Sequence, residues 1–177
     1  MENPEIKHPF IKFSLYTQIQ IECLLEVGDE ILKLLKDNSN FHKTYGLIWL
    51  WFLGSFEILR TMHEASTCFD RKLRKKLELI LKKFEKTRLV FAKQQYKNDK
   101  LKGRKNKYID GAELSVIPSN DKDMVFIIDG EKISFKTRES ELKNFLSQIK
   151  PSDILKPMEA ARTAPSSAQP IRSLNKI

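Results

Sequence analysis

Apolar residues along this chain recur at helical spacing before residue 100 and at strand spacing after residue 110. Residues 14–37, SLYTQIQIECLLEVGDEILKLLKD, predict a first helix, with Thr17-x-x-Gln20 at capping-box spacing and Asn38-Ser39-Asn40 as its stop. The QIQIEC stretch inside it alternates as a strand does, which blurs the start. Residues 44–67, TYGLIWLWFLGSFEILRTMHEAST, predict a second helix that is apolar around nearly its whole circumference, the pattern of a buried central element. Its less apolar side carries Gly46, Gly54, Glu57, Arg60, Thr61 and Glu64. A glycine inside a helix costs about 1 kcal/mol unless close packing or a bend uses it. Asp70 is placed to cap a third helix running from 71 to 98, with an apolar stripe of Leu73, Leu77, Ile80, Leu81, Phe84 and Phe91.

The period then changes. Residues 98–106, NDKLKGRKN, read as a soluble linker. Ala112, Leu114 and Val116 alternate with polar neighbours, Pro118-Ser-Asn-Asp121 gives a turn, and MVFII at 124–128 reads as a buried strand. Asp129-Gly130 supplies a tight hairpin turn, beyond which Ile133 and Phe135 alternate. Leu142, Phe145, Leu146 and Ile149 share one face of a short helix that Pro151 stops. The remainder, rich in Pro, Ala and Ser from Pro157, reads as a flexible tail. The expected fold is therefore α+β. A three-helix bundle with an apolar central helix fills 1–98, and a basic linker follows at 99–108. A small three-stranded antiparallel meander with a short helix fills 109–150, as a cap on the bundle or a second lobe, and a tail fills 151–177.

Composition sharpens this picture only where charge is concerned. The chain has 177 residues, 41% of them hydrophobic and 31% charged, enough for one core and too apolar for general disorder. Its net charge of +9 favours anionic partners: nucleic acid, acidic proteins or an anionic membrane surface. From Asp70 to Lys107 there are 16 Lys and Arg against 4 Asp and Glu, so the rest of the chain sums to −3. Basicity belongs to one segment.

The third helix organises that charge. At about 100° per residue, Lys75, Lys82, Lys86, Lys93 and Lys97 fall on one line, opposite Leu73, Leu77 and Phe84. Lys102, Arg104, Lys105 and Lys107 continue the row into the linker, and Tyr96 is placed to stack on an unpaired base. Such a row neutralises successive phosphates of a nucleic acid with an affinity that falls steeply with salt. The bland alternative is a helix face kept wet by lysine.

Arg88 departs from the row, lying in line with Phe84 and Phe91. A buried guanidinium needs a carboxylate. If the second and third helices pack antiparallel, Glu57 is its natural partner, being the only acid between Thr44 and Met62, and Arg60 shares it. The expected group is a structural ion pair that sets helix register. Its sharper alternative is a Glu57, Arg60 and Arg88 pocket doing acid/base chemistry.

Other chemistry is thinly supplied. His8, His42 and His63 stand in separate segments without metal-ligand spacing, so no metal site and no cofactor are expected. Phosphate-binding GxxxxGK[ST] loops, GxGxxG fingerprints and GxSxG elbows are absent. Cys23 and Cys68 lie far apart in apolar helical stretches, the pattern of two buried reduced thiols. The opening MENPEIKHPF lacks the order of a signal peptide, and LIWLWFLGSF at 47–56 is shorter than the roughly 20 residues of a bilayer span. A cytoplasmic, non-catalytic binding subunit that contacts RNA or DNA backbone through the lysine-rich helix and linker is the leading expectation. Two alternatives stand beside it. One is a protein-interaction or assembly subunit, or homo-oligomer, using a Trp49, Trp51 and Phe52 surface and the C-terminal tail. The other is an enzyme built on the Glu/Arg pocket.

Overall fold

The computed structural model describes residues 8–37, 40–93, 95–96, 107–108, 115–119, 122–128 and 130–159. Among them the fold is mostly helical and of the α+β class. Three long helices come first: α1 (Leu15–Asp37), α2 (Phe41–Glu64) and α3 (Arg71–Lys93). Helix α2 starts earlier than its apolar run because Asn40, read above as part of a stop, is its N-cap. Asn40 has φ 42°, and its side-chain oxygen accepts from the Lys43 amide at 3.1 Å. Asp70 caps α3 as expected, accepting from the Leu73 amide at 2.6 Å.

Helix α3 ends at Lys93 instead of continuing to 98. Strand β1 (Gln95–Tyr96) follows and pairs antiparallel with β2 (Lys107–Tyr108), a two-stranded element that periodicity did not announce. In a second sheet, β3 (Ser115–Ser119) pairs antiparallel with β4 (Asp123–Ile128), which pairs antiparallel with β5 (Glu131–Ser134). Ala112, Leu114 and Asp129 lie outside the described residues. Phe135, expected in a strand, is the first residue of α4 (Phe135–Ser147), because Ser134 turns the chain and caps the helix through the Thr137 amide. Buried Asp123 fixes this corner by accepting from the Met124 and Lys136 amides and from the Ser134 hydroxyl.

One continuous core unites these elements. Trp51 and Phe52 of α2 meet Phe84 and Phe91 of α3 and Phe126 and Phe135 of the sheet-and-α4 layer, at ring-centroid distances of 5.1–6.4 Å. The apolar ring around α2 is thus consumed on two sides, by α1 and α3, with the sheet closing the gap. Gly28 lets α1 approach: a Cβ there would sit 3.2 Å from Trp51 Nε1, which donates to the Leu24 carbonyl at 3.2 Å. Gly54 needs its smallness less, its Cβ position being 3.4 Å from Leu24 Cδ1, and Gly46 meets nothing within 4 Å.

The segment expected as a tail from 151 is packed through Met158. Ile154 is buried and bridges to Phe69, the Leu155 amide donates to the Cys68 carbonyl, and the Met158 amide donates to the Phe13 carbonyl. Ile154 supplies the apolar anchor that the Pro/Ala/Ser composition further on obscures. Residues 160–177 lie outside the described residues.

Candidate functional site

The basic face of α3 divides into two halves. In the second half, acids carried by the sheet-and-α4 layer meet the lysines. Lys83 donates to Glu141 at 2.6 Å, Lys86 pairs with Glu131, and Arg138 pairs with Glu141 at 2.6 Å. Lys82 is held by Glu78 of its own helix at 2.8 Å. The Lys86 hydrogen bond holds the Glu131 carboxyl below its ordinary range. Burial pushes Glu141 up, but hydrogen bonds and charge from Lys83 and Arg138 outweigh it and leave its pKa low.

The first half of α3 is different. Arg71, Lys72, Arg74 and Lys75 are exposed and make no ion pair among the described residues. Arg71, Arg74 and Lys75 line a depression of about 330 Å³ together with His63, Ser66 and Glu78. The RKLRKK run signalled this cluster, yet the expected line of lysines passes through Lys75 alone. Lys97, Lys102, Arg104 and Lys105 lie outside the described residues. Lys93, Tyr96 and Lys107 are described only as backbone, in α3, β1 and β2.

The Glu57, Arg60 and Arg88 group is not assembled. Glu57 is exposed and accepts from Arg60 at 2.6 Å, and Arg60 also reaches Glu64 at 3.0 Å, an i,i+3 and i,i+4 ladder on the solvent side of α2. Arg88 is only partly buried and lies over the Phe56 ring, 5.0 Å from its centroid. The reason is angular. Glu57 is turned about 100° from Phe56, towards the α1 side, while α3 packs on the Phe56 side. With the carboxylate and Arg88 on different faces of α2, no acid/base pocket forms from these three.

The aromatic surface is likewise relocated. Trp51 and Phe52 are fully buried, and Trp49, though 39% exposed, donates its indole N–H to the Phe91 carbonyl at 3.1 Å. What α1 and α2 do present is an aliphatic groove of about 400 Å³. Ile19, Cys23 and Val27 of α1 form one wall, and Leu50, Gly54 and Ile58 of α2 the other. Ile19 is 48% and Leu50 55% exposed, and Leu15 and Tyr16 extend the apolar surface beyond Ile19. Cys23, expected to be buried, is exposed in this groove, whereas Cys68 is buried. The i,i+4,i+8 spacing of Ile19, Cys23 and Val27 was the available signal.

A second buried acid, besides Asp123, lies on α4. Glu139 of α4 sits against Gly28 and near Trp51, with Oε1 lacking a hydrogen-bond partner among the described residues and Lys143 Nζ 3.8 Å away. Burial raises its pKa, Lys143 works against this, and Asp29 adds to it. Among the described residues no group of three His, Cys, Asp or Glu is arranged to hold a metal ion, and no helix is long and apolar enough to cross a membrane. Comparisons with known protein families, with curated proteins and with solved structures find no match to this chain.

Proposed function

We propose that the chain is a non-catalytic binding protein that contacts a nucleic-acid backbone through the start of α3. The observation that carries this reading is the set of four exposed cations Arg71, Lys72, Arg74 and Lys75, within two turns of one helix and without an ion pair among the described residues. Their neighbours further along α3 are paired with Glu78, Glu131 and Glu141. Cations already paired lose that partner on meeting a phosphate, so the unpaired ones dominate the attraction. Arg71, Arg74 and Lys75 share one depression with His63, Ser66 and Glu78, so a phosphate seated there meets three cations and one carboxylate that Lys82 already engages. Backbone contact alone carries no sequence preference, so RNA and DNA of any sequence are the substrate class.

The test is binding of a generic labelled single strand and duplex at two salt concentrations. Affinity falls with salt, with a slope of about 0.7–0.9 per phosphate neutralised. The triple change Arg71→Glu, Arg74→Glu and Lys75→Glu removes binding, while Lys83→Gln and Lys86→Gln leave it within a few fold. Binding that survives the triple change overturns the proposal.

A further inference from the structure

We infer that the first turns of α3 form a ridge that lies in the major groove of double-stranded DNA, which names the substrate class of the nucleic-acid reading above and rests on it. Between Arg71 and Leu79 the helix stands between two depressions. One is the depression that Arg71, Arg74 and Lys75 share with the end of α2. The other, of about 240 Å³, is lined by Lys72 and Lys76 of α3 and by Lys150 beyond the end of α4. Successive helical residues turn about 100°, so Arg74 and Lys76 project from opposite flanks, with Lys75 on the crest between them. Leu79, one turn after Lys75, is 64% exposed on that same crest.

Width and charge fit a B-form duplex. A helix with its side chains is about 10–12 Å across, and the major groove of B-DNA is about 12 Å wide and about 8.5 Å deep. With the crest on the groove floor, Arg71 and Arg74 meet one phosphate backbone and Lys72 and Lys76 the other. Lys75 then reaches base-edge acceptors such as guanine O6 and N7, and Leu79 reaches the thymine methyl.

The ridge and its depressions hold six cations, five on α3 and Lys150, against the carboxylates of Asp70, Glu78 and Asp153, a net of +3. None of the six makes an ion pair among the described residues, and Lys76 donates to the neutral Gln148 side chain at 3.1 Å. The three acids are turned to other partners. Glu78 engages Lys82 at 2.8 Å, Asp70 accepts from the Leu73 amide at 2.6 Å, and Asp153 accepts from the Lys150 amide at 2.9 Å. Further along α3, Glu141 and Glu131 engage Lys83 and Lys86, which confines the free charge to the ridge. Double-stranded RNA fits poorly, because its major groove is too deep and narrow for side chains to read. A single strand has no groove to hold both flanks.

The experiment measures binding of the full chain to labelled alternating A·T duplex DNA of about 20 base pairs, to duplex RNA and to single-stranded DNA of the same length. At one salt concentration the DNA duplex binds at least about tenfold tighter than the other two. Lys72→Gln with Lys76→Gln weakens duplex binding and lowers its salt slope by about 0.9 per lysine. Deoxyuridine in place of thymidine removes the major-groove methyl. It weakens binding of the parent about fourfold, the worth of one buried methyl, and leaves Leu79→Ala unchanged. Lys72, Lys76 and Leu79 are exposed, so far-UV circular dichroism of these variants matches the parent. Equal affinity for the three nucleic acids, lost in the Arg71, Arg74 and Lys75 triple change, overturns the groove placement and leaves backbone binding standing. Binding to none of them overturns both. A deoxyuridine effect that persists in Leu79→Ala, or duplex binding untouched by the Lys72 and Lys76 changes, also overturns the inference. So does tighter binding to phosphatidylserine vesicles than to the duplex, abolished by Leu79→Ala, which assigns the crest to a membrane surface.

Discussion

The guanidinium of Arg88 lies 5.0 Å from the centre of the Phe56 ring, while Glu57, the next residue in the chain, is engaged by Arg60 on another face of α2. The cation is accommodated by an aromatic face and nearby solvent, so it does not depend on a carboxylate. Glu57→Gln and Arg88→Met are expected to act independently. In a thermal or urea double-mutant cycle their coupling stays within about 0.5 kcal/mol. A larger coupling would restore the ion pair expected from the sequence.

Glycine changes separate packing from entropy within two helices. Gly46 has open space around its Cβ position, so Gly46→Ala stabilises by up to about 1 kcal/mol. Gly28→Ala moves Trp51 off the Leu24 carbonyl and costs about 1–3 kcal/mol. Urea midpoints of the two variants are expected on opposite sides of the parent's.

Buried Glu139 sets one pH dependence. Its folded pKa lies above the ordinary carboxylate value, so its burial penalty is absent below about pH 4.3 and complete above the raised value. Glu139→Gln is therefore expected to raise Tm by a few degrees at pH 7, with the advantage shrinking as pH falls towards 4.

Glu131 behaves in the opposite sense. Its pKa is depressed by Lys86, so its contribution is present above the ordinary carboxylate value and lost as pH falls through the lowered one. Glu131→Gln costs at most about 1 kcal/mol, since the pair is half exposed, and the deficit shrinks in high salt. Thermal melts at pH 7 and near pH 3, each at two salt concentrations, check both carboxyls.

The helices were legible because each buries a stripe with a 3.6-residue period, and Asp70 announced α3 through its cap. Three features were not legible, each for a physical reason. QIQIEC looked like a strand because α1 is apolar on two sides: Ile21 and Leu24 point into the core, Ile19 and Cys23 into the groove. The lysine row looked free because Glu131 and Glu141, which neutralise part of it, come from elements more than 40 residues away. Arg88 looked buried because position on a helix wheel says which side a residue takes, but not how deep that side lies.

The segment around Ile154 also constrains the order in which this protein is made. Cys68 and Pro157 touch across 89 residues of chain, and Ile154 covers Phe69 beside Phe13. Translation at about 5–20 residues per second delivers the covering residues on the order of 5–20 s after the helix ends they shield. Until then Phe13, Cys68 and Phe69 lack the residues that cover them in the folded protein. A nascent chain stalled inside α4 is expected to present that patch to chaperones, and release of the final segment to withdraw it.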